Sequence, residues 1–174
     1  MDFEPQYTTE QEEFRQEVKA WMKDNVPSGI VHPADPIDLT EEQYQMRRDF
    51  GRSLGEKGWL WATAETKYGG GGLDVDHAIV LEEEAEAAGL TIPPYYDSGG
   101  RLGGASIVVW GTGEQKEAFL PPIFKGLVRT WQLLSAPEAG SDLANVTTTS
   151  TRAAARTVKR GTAIGVDATG FNDI

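Results

Sequence analysis

The residues best placed to do chemistry stand together near the end of the chain, in the run Trp131-Gln132-Leu133-Leu134-Ser135-Ala136-Pro137-Glu138-Ala139-Gly140-Ser141-Asp142. Val128 to Ser135 is an apolar run of strand length, and Pro137 closes it because proline has no N–H to donate to a sheet ladder. Beyond it, Gly140 permits backbone conformations that other residues avoid. Ser141 and Asp142 add a hydroxyl and free amides of the kind that hold a phosphate or the polar edge of a cofactor ring. The same spacing suits an ordinary strand-ending turn, since Gly-Ser-Asp is common turn chemistry.

Other chemistries find little footing. The chain has no cysteine, which removes disulfides, thiol nucleophiles and thiolate metal sites, and its two histidines, His32 and His77, lack the spacing of metal ligands. No metal site is expected. The net charge of −11 lacks the concentrated basic face that nucleic-acid binding needs. No apolar stretch approaches the roughly 20 residues of a membrane span. The start Met1-Asp2-Phe3-Glu4-Pro5 has neither a basic head nor an apolar signal core, so a cytoplasmic location is expected, away from membranes. An apolar content of 39% over 174 residues can bury one real core.

The elements that must position the run are mostly helices, over residues 1–126. Thr9 and Glu12 make a capping-box pattern, followed by an apolar stripe of Phe14, Val18, Trp21, Met22 and Val26 that ends before Pro27. A proline-bearing connector spans Ser28 to Leu39. Thr40 and Gln43 repeat the capping pattern for a helix through Leu54, whose end Gly55 and Gly58 loosen. Asp74 caps a third helix with Val75, Ala78, Ile79, Glu82 and Ala85 on one face, and Gly89 stops it. The acidic run Glu82-Glu83-Glu84 reads as a solvated face. Pro93 to Gly100 is a loop whose tyrosines pack on the core, leading into an apolar helix from Ala105 to Trp110. Thr112 and Gln115 then cap a helix carrying Phe119, Leu120, Ile123 and Phe124 that ends at Gly126, where strands are expected to begin.

Three stretches together resemble the acyl-CoA dehydrogenase family: Tyr68-Gly69-Gly70-Gly71-Gly72-Leu73, the segment Gly111 to Pro121, and the run Trp131 to Asp142. They fall in the family's order over roughly residues 3–151. The resemblance implies a mainly α fold. Residues 1–126 would be an N-terminal helical bundle domain, residues 127–151 the first strands of a truncated flavin-binding β-domain, and residues 152–174 a divergent tail, disordered on one reading. It also implies FAD as hydride acceptor from an acyl-CoA thioester, in an enzyme that is a homo- or hetero-oligomer when complete. By the same resemblance Gln132, Leu133, Leu134 and Ser135 would run along the flavin ring, with the Ser135 hydroxyl in place of a threonine. Gly140 and Ser141 would approach the phosphate or ribityl side, and Ser141 also the substrate thioester. The small residues near Gly99 to Gly104 would leave room for an acyl tail.

Two departures qualify this reading. Ala136 stands where the family has glutamate, and the match is lost after Thr151. Residues 1–151 carry 12 Lys+Arg against 25 Asp+Glu, a balance of −13, whereas residues 152–174 carry 4 against 2, a balance of +2. The family's glutamate base and C-terminal helical domain lie beyond residue 174, so no catalytic residue is assigned. The chain is read as a fragment lacking its base, with exposed apolar faces where the missing domains would pack. A non-catalytic subunit and a helical interaction module derived from the family are the alternatives.

Overall fold

A computed structural model describes residues 6–30, 38–95, 97, 100–130, 139–145, 149–153 and 156–160. The chain divides into two units, residues 1–131 and 132–174.

The first unit is helical: α1 (Thr9–Asn25), α2 (Glu41–Lys57), α3 (Val75–Ala87), α4 (Ala105–Trp110) and α5 (Gly113–Phe124). Three of these start on capping boxes. In α2 and α5 these are the expected pairs, Thr40 with Gln43 and Thr112 with Gln115. In α1 the box is shifted one residue, to Thr8 and Gln11: the Gln11 N–H reaches Thr8 Oγ1 at 3.2 Å and the Gln11 side chain accepts the Thr8 N–H at 2.7 Å. A glutamine closes the box as well as a glutamate does, so the Thr9/Glu12 register had a competitor one residue away.

The α1 stripe buries Val18 and Met22, and Phe14, Trp21 and Val26 pack partly buried beside them. With Phe50, Leu54, Trp59, Leu60, Leu81, Ala85, Leu90 and Tyr95 they form the main core. A second cluster gathers Tyr68, Leu120, Ile123 and Phe124, with Phe119 of the same helix half exposed.

Three expectations about these helices are corrected. Helix α2 runs three residues past Leu54, and its glycines tighten the structure. Gly58 terminates the helix in the left-handed region at φ 79°, and Gly55 lies against the Lys125 backbone. In α3 the buried residues are Val80, Leu81, Glu84 and Ala85, while Val75 and Ile79 are exposed. The buried stripe is narrow and offset from the expected face because Glu84 turns inward to an arginine. The acidic run is accordingly not solvated throughout. Arg15 donates to Glu84 Oε1 at 2.7 Å and to Glu83 Oε2 at 2.9 Å, and the Tyr7 hydroxyl donates to Glu83. Gly89, at φ 73°, does end α3, its N–H donating to the Glu86 carbonyl.

The expected strand from Val128 is absent in its described part, Val128 to Thr130. Its amides are committed elsewhere: the N–H groups of Leu127 and Val128 donate to the Pro122 carbonyl and that of Thr130 to Asp97, so no ladder forms there. In the second unit, β1 (Thr149–Ala153) pairs antiparallel with β2 (Arg156–Arg160), from Thr149 opposite Arg160 to Ala153 opposite Arg156. This hairpin crosses residue 152, where the resemblance ends. The connector over residues 31–37 and the end of the tail, 161–174, lie outside the described residues. Among the described residues, no helix is long and apolar enough to cross a membrane.

Candidate functional site

Of the two glycine-rich motifs, the first is fully used by the fold. The N–H groups of Gly70, Gly71, Gly72 and Leu73 donate to the carbonyls of Glu65, Trp61, Ala64 and Ala62, at 2.8 to 3.2 Å. A Cβ on Gly70 would meet the Ala64 carbonyl at 2.4 Å, and one on Gly71 that of Ala62 at 2.6 Å. The glycines are there because the loop presses on residues 61–65, and its amides have no donor left for a phosphate.

The second motif is different. Of the residues expected to meet a flavin, Gln132, Leu133, Leu134 and Ser135 lie outside the described residues, as does Ala136. Gly140, Ser141 and Asp142 are exposed. Nothing lies within 4 Å of a Cβ built on Gly140, whose backbone is not in the left-handed region. The expected backbone reason for glycine at 140 therefore does not hold; what remains is open space. Asp142 accepts the Asn145 N–H at 3.2 Å, opening a 3-10 turn over Leu143–Asn145. A hydroxyl and an open glycine edge are a donor set that fits the phosphate or ribityl side of a flavin nucleotide.

Within the helical unit lies a polar cluster that sequence reasoning missed. Arg47 and Arg48 of α2 and Asp97 are all buried, with 7%, 7% and 5% exposure. Arg47 Nη1 donates to the Pro94 carbonyl at 2.6 Å, and burial lowers its pKa. Arg48 Nη2 donates to the Gly126 carbonyl at 3.1 Å, and its guanidinium lies 4.4 Å from the centre of the Tyr95 ring. Burial pushes the Tyr95 hydroxyl up to about 12, and burial likewise raises that of Tyr44, whose ring carries Arg129 at 4.9 Å. Asp97 Oδ1 accepts the N–H of Gly100 at 2.8 Å, the N–H of Thr130 at 3.2 Å and the Thr130 hydroxyl at 3.5 Å. The signals were present in the sequence: adjacent arginines three and two residues before the apolar Phe50 in an amphipathic helix, and an aspartate three residues before a glycine.

Asp97 also sets the turn before α4. Gly100–Gly104 is a π-helical turn, a form that is rare and often found at functional sites. A Cβ on Gly100 would stand 2.4 Å from Asp97 Oδ2, whereas one on Gly103 would meet nothing within 4 Å and one on Gly104 only Ile123 Cγ2 at 3.7 Å. Open space among these small residues is therefore at Gly103, whereas a carbon added at Gly104 would already touch Ile123. A separate cavity of about 250 Å³ is lined by Trp59, Trp61, Ala78, Leu81, Glu82 and Arg101, among others. Helix α4 buries none of its residues; Val109 and Trp110 are 64% and 86% exposed. Among the described residues, no group of three or more His, Asp or Glu is arranged to hold a metal ion.

Comparison with known proteins settles the class. The family described as acyl-CoA dehydrogenase, N-terminal domain, matches residues 8–127. The chain belongs to the acyl-CoA dehydrogenase family. It is 34% identical over 146 residues to the acyl-CoA dehydrogenase IpdE1 of Mycolicibacterium smegmatis, covering 80% of this chain and 36% of that protein. To the mitochondrial isovaleryl-CoA dehydrogenase of Pongo abelii it is 32% identical over 138 residues, covering 79% and 31%. Among solved structures, the ChsE4–ChsE5 complex from Mycobacterium tuberculosis superposes with a TM-score of 0.60 at 28% identity, covering 91% of this chain and 39% of the other. The chain thus spans about a third of the length of the curated relatives it matches.

Proposed function

We propose that this chain is the N-terminal part of an FAD-dependent acyl-CoA dehydrogenase, which removes hydrogen from the α and β carbons of an acyl-CoA thioester. The observation that carries the reading is the family match over residues 8–127, together with an open Gly140-Ser141 edge in the family's flavin motif. Residues 1–126 would be the helical domain, 127–151 the start of the flavin-binding β-domain and 152–174 a divergent tail. Gln132, Leu133, Leu134 and Ser135 would line the flavin, Gly140 and Ser141 its phosphate or ribityl side, and Ser141 the thioester.

FAD, when bound, supplies the hydride acceptor; the protein supplies orientation and electrostatics. The chain's own share is to hold the flavin edge and to leave room for an acyl tail beside Gly103. No described carboxylate is placed as the base that takes the α-proton, and that role falls to a part of the enzyme beyond this chain. A homo- or hetero-oligomer is the proposed working state, in keeping with the complex that the ChsE4–ChsE5 structure contains.

The test is to titrate FAD into the purified 174-residue chain and follow flavin fluorescence polarisation. Weak or no binding is expected from a site that is only begun here. Stoichiometric yellow protein would overturn the view that the flavin site needs further chain.

A further inference from the structure

We propose that the cavity lined by Trp59, Trp61, Glu82 and Arg101 binds a small zwitterion with an aromatic body; the proposal is independent of the function proposed above. Every residue of this lining belongs to the helical unit. The cavity holds about 250 Å³, just below the roughly 300 Å³ at which ligand pockets begin, and so selects a small ligand. Much of its wall is apolar and held in place. Trp59 and Leu81 are 4% and 1% exposed. The carbonyls of Trp61 and Ala62 accept the N–H groups of Gly71 and Leu73, at 3.2 and 2.8 Å, so the glycine-rich loop fixes this stretch. Ala62 and Ala78 bring only a methyl each to the lining, which keeps the space open.

Two opposite charges complete the lining and do not neutralise each other. Glu82 of α3 makes no hydrogen bond or ion pair among the described residues, although the next two residues, Glu83 and Glu84, both pair with Arg15. Arg101 of the π-helical turn gives one N–H to the Ile92 carbonyl at 3.1 Å and has no carboxylate partner among the described residues. That bond seats the guanidinium at the cavity, because Ile92 lines it too. A carboxylate and a guanidinium that share one small cavity without pairing offer two separate points of attachment, one for a cation and one for an anion. A ligand with a single charge meets only one of them. A zwitterion meets both, and an aromatic ring packs against the indole and aliphatic wall.

The test is a titration of phenylalanine into the isotopically labelled 174-residue chain, read by the indole N–H resonances. Those of Trp59 and Trp61 are expected to shift saturably, while that of Trp110, on the bare face of α4, stays in place. Hydrocinnamate lacks the ammonium group and phenylalaninamide the carboxylate; each is expected to bind about threefold to fivefold more weakly, the size of a solvent-screened ion pair. Glu82→Gln should reproduce the first loss and Arg101→Gln the second, with no further loss for the ligand that already lacks the matching charge. Arg101→Lys, which keeps the cation, should hold the affinity for phenylalanine within about twofold. An equal loss in both arginine variants would assign the effect to the Ile92 bond and overturn the role of the charge. Equal affinity for the three ligands would overturn the zwitterion. Absence of a saturable shift at Trp59 and Trp61, or a shift as large at Trp110, would overturn the site itself. No flavin takes part, so each of these outcomes leaves the dehydrogenase reading as it stands.

Discussion

A methyl group on Gly55 would stand 2.6 Å from the carbonyl carbon of Lys125. Helix α2 and the turn that ends α5 thus meet backbone to backbone, which only glycine allows. Gly55→Ala is expected to destabilise the helical unit by about 1–3 kcal/mol, as overpacking does, even though alanine is the better helix former by about 1 kcal/mol. Urea denaturation measures it. Gly113→Ala, where a Cβ meets nothing within 4 Å, is the control and should change stability by less than about 0.5 kcal/mol. Equal effects at both sites would remove close packing as the explanation.

Arg15 ties α1 to α3 through Glu83 and Glu84, and Glu84 is only 8% exposed. Removing the cation leaves a nearly buried carboxylate with Lys19, at 3.8 Å, as its nearest positive charge. Arg15→Ala is expected to cost about 2 kcal/mol, below the range for fully buried pairs because the arginine keeps some solvent contact. The thermal midpoint should fall accordingly. A change within experimental error would mean that the ion pairs are ornamental.

The same cluster gives stability a direction in pH. The hydrogen bond from Tyr7, and then Arg15, holds the Glu83 carboxyl below its ordinary value, and the His77 backbone N–H does the same for Asp74. A carboxyl depressed by folding adds stability above its unfolded value, near about 4, and that stability is lost as pH falls through the folded value. Denaturation midpoints should therefore hold between about pH 7 and 5 and fall below about 4. Glu83→Gln and Asp74→Asn should each flatten the acid limb. An acid limb unchanged in both variants would contradict this assignment.

The exposed apolar residues of α4 predict association. Val109 and Trp110 sit side by side and largely bare, with Leu102 also exposed. Large exposed apolar patches drive association in an isolated chain. Val109→Lys with Trp110→Ser should lower concentration-dependent scattering while leaving the unfolding midpoint nearly unchanged. Unchanged scattering would place the sticky surface elsewhere.

The helical order was legible because caps and apolar spacing are local: Thr40 with Gln43, Asp74 before α3 and Thr112 with Gln115 all stand where the sequence puts them. What was illegible is non-local. Glu83 and Glu84 look solvated until Arg15, some seventy residues away, is placed beside them. In its described part, Val128 to Thr130, the expected strand gives way because Pro122 and Asp97 take amides there. Asp97 looks like a turn former within its own loop, and its tie to Thr130 exists only in three dimensions. At the candidate site, the sequence supplied the Gly140-Ser141 edge through resemblance, and the fold supplied the finding that the Tyr68–Leu73 glycines are structural.

The measurement that tests the central claim most directly is a visible spectrum of the protein isolated under native conditions from its own cells by an N-terminal tag, before and after anaerobic addition of mixed saturated acyl-CoA thioesters. A flavin spectrum that bleaches on addition is the predicted result. An assembled enzyme that contains this chain and shows no flavin and no response to acyl-CoA would contradict the dehydrogenase reading; flavin on the 174-residue chain alone would contradict only the view that its flavin site needs further chain.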